Sequence, residues 1–131
     1  MEKNKKRKIL LVDDDTFLLE MYSLRFSQAG FIVETATTSD QVFEKVKSGY
    51  IPDVLILDVV MPTNDGFELI DKINKENLLP KALKVFLSNL GQEQDLAKGK
   101  ALGSDGYIIK ANNTPSEVLE YIIKLLEKHG L

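Results

Sequence analysis

Short runs of β-branched and aliphatic residues recur along this chain, each followed by a longer amphipathic segment, and that alternation narrows the fold more than any other feature. Strands that read as almost wholly apolar, such as Val54-Leu55-Ile56-Leu57, are covered on both faces. Strands of that kind separated by helices form βα units around a parallel sheet. Five such units can be traced, with strands predicted over residues 9–12, 32–35, 54–57, 84–87 and 107–109. The expected architecture is α/β: a five-stranded parallel sheet flanked by five helices, doubly wound, for which 2-1-3-4-5 is one of the common strand orders.

The helices follow from periodicity and end signals. The first is predicted over residues 16–29, with Phe17, Met21 and Leu24 on one face and Gly30 ending it. The second, residues 39–47, should bury Val42, Phe43 and Val46, and the third, residues 66–76, should bury Leu69, Ile70 and Ile73. The fourth, residues 92–102, carries the weakest pattern because Gly99 lies inside it, at a cost of about 1 kcal/mol relative to alanine. The last helix begins with Thr114 as N-cap, Pro115 at its first position and Glu117 closing a capping box, and should run to about residue 128.

Chemistry gathers at the strand ends. Asp13, Asp14 and Asp15 follow the first strand, Asp58 closes the third, Ser88 ends the fourth and Lys110 the fifth. In an open α/β sheet, ligands bind outside the carboxyl ends of the strands, where the strand order reverses. For a 2-1-3-4-5 order that point lies between the first and third strands, so Asp13, Asp14 and Asp58 should converge. Two carboxylates about 4 Å apart repel by roughly 4 kcal/mol at an effective dielectric near 20, so the cluster calls for a cation. Oxygen-only ligands favour Mg²⁺, Mn²⁺ or Ca²⁺, and Mg²⁺ commonly pairs one or two carboxylates with waters and phosphate oxygens. The hydroxyl of Ser88 and the charge of Lys110 add the partners of an anionic ligand. Aspartates after strands also serve as helix N-caps, and Asp15 taken alone fits either role.

In order and spacing, Leu11-Val12-Asp13-Asp14-Asp15, Asp53-Val54-Leu55-Ile56-Leu57-Asp58, Met61-Pro62, Asp65-Gly66, Ser88 and Gly106-Tyr107-Ile108-Ile109-Lys110 form a specific set. From about residue 8 to residue 128 the chain resembles the receiver domain of bacterial two-component response regulators, the CheY-like family. The resemblance implies a phosphoacceptor signalling domain that catalyses only its own phosphorylation and dephosphorylation. It implies Asp58 as the phosphorylated residue, with Ser88 and Lys110 assisting. It implies Mg²⁺, with Mn²⁺ as a substitute, held by Asp13, Asp14, Asp58 and the backbone carbonyl of Val60. Its phosphodonor would be a sensor histidine kinase or a histidine phosphotransfer protein. Ser88 and Tyr107 would form the switch, acting on a surface of helix 4, strand 5 and helix 5 that meets a downstream protein or a second copy. The apolar face of the last helix, Leu119, Ile122, Ile123, Leu125 and Leu126, is wider than one contact with the sheet requires, in keeping with such a partner.

Two positions depart from the family pattern. Asn89 stands where a small residue is usual, and Ala111 stands where proline usually follows the lysine. They keep open a receiver-like module that binds without phosphorylation. A haloacid-dehalogenase-like phosphatase, with Asp13 as nucleophile, matches Asp13-x-Asp15-Thr16, Ser88 and Lys110, but after Lys110 there is no aspartate to complete its metal site. A flavodoxin-like cofactor site would need a phosphate-cradling loop in place of three aspartates after the first strand.

Composition removes other classes. The 131 residues include no cysteine and one histidine, His129, which leaves no material for a disulfide framework or a zinc cluster. His129 is read as a favourable partner of the last helix's C-terminal dipole, not as a phosphodonor. A net charge of −3 speaks against general nucleic-acid affinity. No stretch approaches the ~20 apolar residues of a membrane span, and the basic start does not lead into a secretory signal. The expectation is a soluble cytoplasmic protein, with a flexible basic tail over residues 1–7, a receiver domain over residues 8–131 and no DNA-binding output module among these residues.

Overall fold

The computed structural model describes residues 6–62 and 64–131. Most of the predicted basic tail, residues 1–5, thus lies outside the described residues. In chain order the elements are β1 (Lys8–Val12), α1 (Thr16–Gln28), β2 (Ile32–Ala36), α2 (Ser39–Lys47), β3 (Val54–Leu57), α3 (Gly66–Lys75), β4 (Leu83–Ser88), α4 (Glu93–Ala101), β5 (Gly106–Ile109) and α5 (Pro115–Lys128), with a single 3₁₀ turn over Lys110–Asn112 before α5. The sheet is parallel throughout, in the order β2-β1-β3-β4-β5. The expected doubly wound architecture is therefore present, and predicted element ends differ from the observed ones by at most one residue.

Alternation of side chains across the sheet divides the core in two. Ile9, Leu11, Val54, Ile56, Val85 and Leu87 face α1 and α5. Leu10, Val12, Leu55, Leu57 and Phe86 face the other way, against α2 and α3. Both faces of β1, β3 and β4 are covered, which is why these strands read as unbroken apolar runs. Register then aligns the strand ends: Val12 lies opposite Leu57, and Ser88 opposite Ile109. Residues following these pairs emerge together on one rim.

Helix ends behave as the local chemistry dictates. Thr114 and Glu117 exchange the two bonds of a capping box, with Pro115 in the first turn. A second capping box, Asp65 with Glu68, starts α3. Helix α2 buries Val42 and Val46, with Phe43 half-buried beneath the Lys72 ammonium, 4.1 Å from its ring centre.

Two predicted faces need correction. On α1, Phe17 is 72% exposed, Leu24 61% and Met21 40%, while Leu19, Tyr22 and Phe26 enter the core. Apolar residues occupy nearly every direction around this helix, so two stripes of equal quality compete and only packing against β1 and α5 selects one. On α5, the width of the apolar face is mostly core: Leu119, Ile122, Leu125 and Leu126 are buried together with Val118, and only Ile123 of the predicted set is exposed.

Gly99 has a structural reason. A Cβ there would lie 3.2 Å from carbons of both the Phe86 and Tyr107 rings, tighter than ordinary contact, so α4 rests closer on those rings than a larger residue would without shifting them. Replacing an ordinary helical glycine with alanine gains about 1 kcal/mol. Here Gly99→Ala is expected to lower the urea unfolding midpoint instead, and a midpoint above wild type would show that α4 does not press on the two rings.

Candidate functional site

The rim at the carboxyl ends of β1, β3, β4 and β5 is acidic and fastened from below. The amide of Asp13 donates to the Ala36 carbonyl at 3.2 Å, and that of Asp58 to the Val12 carbonyl at 3.0 Å, so both backbones extend the sheet's ladder by one step. Both residues are withdrawn from solvent, Asp13 at 3% exposure and Asp58 at 6%. Asp13 Oδ1 accepts from the Asp15 amide at 2.9 Å, and Asp58 Oδ1 from the Val60 amide at 3.3 Å. Asp14 completes the group from an exposed position, and one carboxylate oxygen from each of the three lies within 4.8 Å of the others.

Lys110 reaches across the sheet to this cluster. Its Nζ is 2.5 Å from Asp13 Oδ2 and 2.7 Å from Asp58 Oδ2, and all three side chains are at least nine-tenths buried. Burial acts to lower the lysine pKa, but the bonds to Asp13 and Asp58 outweigh it, so the ammonium is held above its ordinary value of 10.5. Burial lifts Asp13 above its ordinary 3.8 in spite of the opposing bond from Lys110. One ammonium shared by two nearly buried carboxylates, with Asp14 beside them, leaves negative charge uncompensated. The donor set, hard oxygens only, fits a divalent ion of the Mg²⁺ class.

Ser88 is fully buried at the end of β4, its Oγ accepting from the Leu90 amide at 3.3 Å. Tyr107, half-buried on β5, donates its hydroxyl to the Leu90 carbonyl and tilts its ring against Phe86 at 5.7 Å. Val60 is exposed on the loop after β3. All the residues singled out from the sequence thus sit on this rim or, for Tyr107, one layer below it. Asp15 resolves as a cap: its Oδ1 accepts from the amides of Phe17 and Leu18, and it stands outside the carboxylate group.

Two further residues contribute: Tyr22, which had no signal in the sequence, and Gly66, which the sequence marked only as part of the Asp65-Gly66 pair. Tyr22 on α1 is buried, and burial raises its pKa while the charges of Lys110, Asp13 and Asp58 reach it. Gly66, at the start of α3, donates to the Val59 carbonyl at 2.7 Å, and a Cβ there would fall 2.3 Å from the Asp58 carbonyl oxygen. Only glycine lets α3 close on the strand end that carries Asp58. The pair Asp65-Gly66 therefore combines a cap with an approach.

The family whose model matches residues 9–123 is the response regulator receiver domain. The chain is 33% identical over 105 residues to a probable transcriptional regulator ycf27 of Guillardia theta, covering 80% of this chain and 40% of that protein. It is 31% identical over 110 residues to the chemotaxis protein CheY of Halobacterium salinarum, covering 84% of this chain and 89% of that protein. Among solved structures it superposes on the chemotaxis response regulator CheY4 of Vibrio cholerae with a TM-score of 0.84 at 28% identity, covering 93% of this chain and all of that one. The chain spans 40% to 58% of the length of the first three curated relatives it matches.

Charge balance at the rim gives an ordering of stabilities. Without a divalent ion, Asp58→Asn removes surplus negative charge and should be at least as stable as wild type. Lys110→Met leaves two buried carboxylates facing each other and should lose about 3 kcal/mol. Because the Lys110 pKa is raised, its stabilisation is complete below 10.5 and lost only as pH climbs through the higher folded value. Added Mg²⁺ should restore much of the Lys110→Met loss at neutral pH. Urea titrations with and without Mg²⁺ read the order directly, and a Lys110→Met protein as stable as wild type without metal would contradict it.

Proposed function

The chain belongs to the response regulator receiver domain family, a family of signalling domains, and from that premise we propose that it accepts a phosphoryl group on Asp58 from a phosphohistidine partner. The observation that carries this reading is the setting of the Asp58 carboxylate, beside Asp13 and Asp14, 2.7 Å from the Lys110 ammonium and on the same rim as Ser88. Family membership leaves no ground for the phosphatase reading with Asp13 as nucleophile.

One oxygen of Asp58 attacks phosphorus in line as the P–N bond to the donor imidazole breaks, and the departing nitrogen keeps the electron pair and takes up a proton. As negative charge passes from the carboxylate to the phosphoryl oxygens, Lys110 turns from Asp58 Oδ2 to one of those oxygens, while Asp13 keeps its hold on the same ammonium. Ser88 Oγ exchanges its weak acceptance from Leu90 for donation to a second oxygen. Asp13, Asp14, Asp58 and the Val60 carbonyl would hold a Mg²⁺ ion, or Mn²⁺ in its place, which would supply further charge neutralisation there. The product is an acyl phosphate, which water hydrolyses, so the domain catalyses changes only to itself.

The donor is a sensor histidine kinase or a histidine phosphotransfer protein. Its imidazole must come to the rim, and the neighbouring surface is the unexpectedly exposed stripe Phe17, Met21 and Leu24 on α1, which starts immediately after Asp15. Output is proposed through α4, β5 and α5 toward a downstream protein or a second copy. Exposed Leu96 and Tyr121 mark that face, Tyr121 packing against Gly106 of β5. Movement of Ser88 frees the Leu90 amide and with it the segment whose carbonyl holds Tyr107. No helix among the described residues is long and apolar enough to cross a membrane, and a phosphohistidine donor of the proposed kind would be met in the cytoplasm.

Intact-protein mass after incubation with acetyl phosphate and Mg²⁺ tests the chemistry. Wild type should gain one phosphoryl group, Asp58→Asn none, and Asp13→Asn a much reduced fraction. A wild-type protein that binds Mg²⁺ yet gains no mass would favour the module that binds its partner without phosphorylation. With a histidine-phosphorylated donor, Phe17→Ala should slow transfer about tenfold, as expected for loss of a large side chain from an interface, while leaving the acetyl phosphate reaction unchanged.

A further inference from the structure

Lys110 is carried by a turn, not by the strand itself, and its long flexible stem could aim elsewhere. What fixes it lies in the two peptide groups on either side of its Cα. The carbonyl of Ile109, preceding Lys110, accepts from Asn113 Nδ2 at 2.9 Å. The amide of Ala111, following it, donates to Asn89 Oδ1 at 2.8 Å. Ala111 N–H belongs to the first turn after the strand, where an amide has no acceptor within its own turn. Because that N–H can only donate, the atom of Asn89 facing it is the carbonyl oxygen.

We infer that Asn89 is a positioning residue, whose side-chain oxygen clamps the Ala111 amide and so holds the Lys110 backbone at the angle from which its ammonium meets Asp13 and Asp58. The inference rests on the phosphoacceptor reading of Asp58 for its kinetic consequence, and on geometry alone for the clamp. It also explains two departures at once. Ala111 brings an N–H that proline lacks, and Asn89 brings an acceptor that a small residue lacks. Each is a deviation alone, and together they are donor and acceptor of one bond between the β4–α4 and β5–α5 loops. Asn89 follows Ser88 directly, and Ser88 lies opposite Ile109, so a side chain of asparagine's length suffices to cross between the loops.

The experiment compares wild type, Asn89→Ala, Asn89→Asp, Lys110→Met and the double variant Asn89→Ala with Lys110→Met. Two readouts need no phosphodonor: hydrogen exchange of the Ala111 amide and the side-chain resonances of Lys110, both by NMR. Asn89→Ala should speed that exchange about tenfold and shift the Lys110 resonances, whereas Asn89→Asp, which keeps an acceptor, should preserve both. In phosphorylation by acetyl phosphate, Asn89→Ala should lower the maximal rate about three- to tenfold without changing the half-saturating concentration. Asn89→Asp should recover the rate at high salt, where its added charge is screened. With Lys110→Met already present, Asn89→Ala should have no further effect. Unchanged exchange and Lys110 resonances in Asn89→Ala, a rate at or above wild type, or an equal loss in the Lys110→Met background would each overturn the inference. Failure of wild type itself to take up phosphate would instead count against Asp58 as acceptor, and the two NMR readouts would still decide the clamp.

Discussion

The bridge from one lysine to two buried carboxylates is the constraint around which this molecule is arranged. Like charges a few ångströms apart in a partly desolvated site cost several kcal/mol. Asp13 and Asp58 nevertheless lie nearly buried side by side, because β1 and β3 are hydrogen-bonded neighbours with Val12 opposite Leu57. Nothing local could relieve that repulsion: the residues near each aspartate are apolar or acidic. Relief comes from the turn that follows β5, two places from β3 and three from β1 in the sheet, which delivers Lys110 to both carboxylates. Topology sets up the conflict and topology supplies the counter-charge. The compensation is incomplete, since one positive charge faces two carboxylates and Asp14 stands beside them. A site short of positive charge is one in which a cation and a transferred anion can enter together.

Close approach of backbones is the second requirement. A carboxylate at a strand end can be held rigidly only if the element above it comes near, and side chains stand in the way. At Gly66 that obstacle is absent, so α3 begins against the Asp58 carbonyl and its first amide closes onto Val59. At Gly99 the same device seats α4 on Phe86 and Tyr107. The two glycines act at different strand ends, one under Asp58 and one under the rings of Phe86 and Tyr107. Both carry a propensity penalty in a helix, and in both cases the tighter packing of helix on strand is what offsets it.

What could be read from the sequence was whatever local pattern or strand-end geometry determines. Strands covered on two faces have no alternation to misread, so β1, β3 and β4 were legible as apolar runs, and the Thr114-Pro115-Glu117 cap was legible because its bonds span three residues. The carboxylate group was legible because a parallel sheet brings strand ends together without needing any further detail. The buried face of α1 was not: Phe17, Met21 and Leu24 satisfy helical spacing as well as Leu19, Tyr22 and Phe26 do, and the choice is made by neighbours distant in sequence. The width of the α5 face misled for the opposite reason, since its residues fill a core that receives α1 and the sheet together. The bond between Asn89 and Ala111 spans 22 residues, and no periodicity announces it.

Charge, backbone and aromatic packing meet in the short segment Ser88-Asn89-Leu90. Ser88 lies buried at the rim, Asn89 grips the loop that presents Lys110, and Leu90 offers its amide to Ser88 Oγ and its carbonyl to Tyr107. Tyr107 in turn leans on Phe86 and meets α4 at Gly99. Three successive residues thus face three different parts of the molecule: the proposed phosphoryl site, the loop that carries Lys110, and the proposed output surface. A displacement of Ser88 by about an ångström cannot be absorbed within a peptide of such length without being felt by at least one of the other two, because planar peptide units leave only two soft dihedrals per residue. That is a physical reason for acceptor chemistry and surface change to be linked in this fold, and it requires no long chain of intermediaries. The linkage runs through one loop, and Asn89 places Lys110 in the same loop's grip.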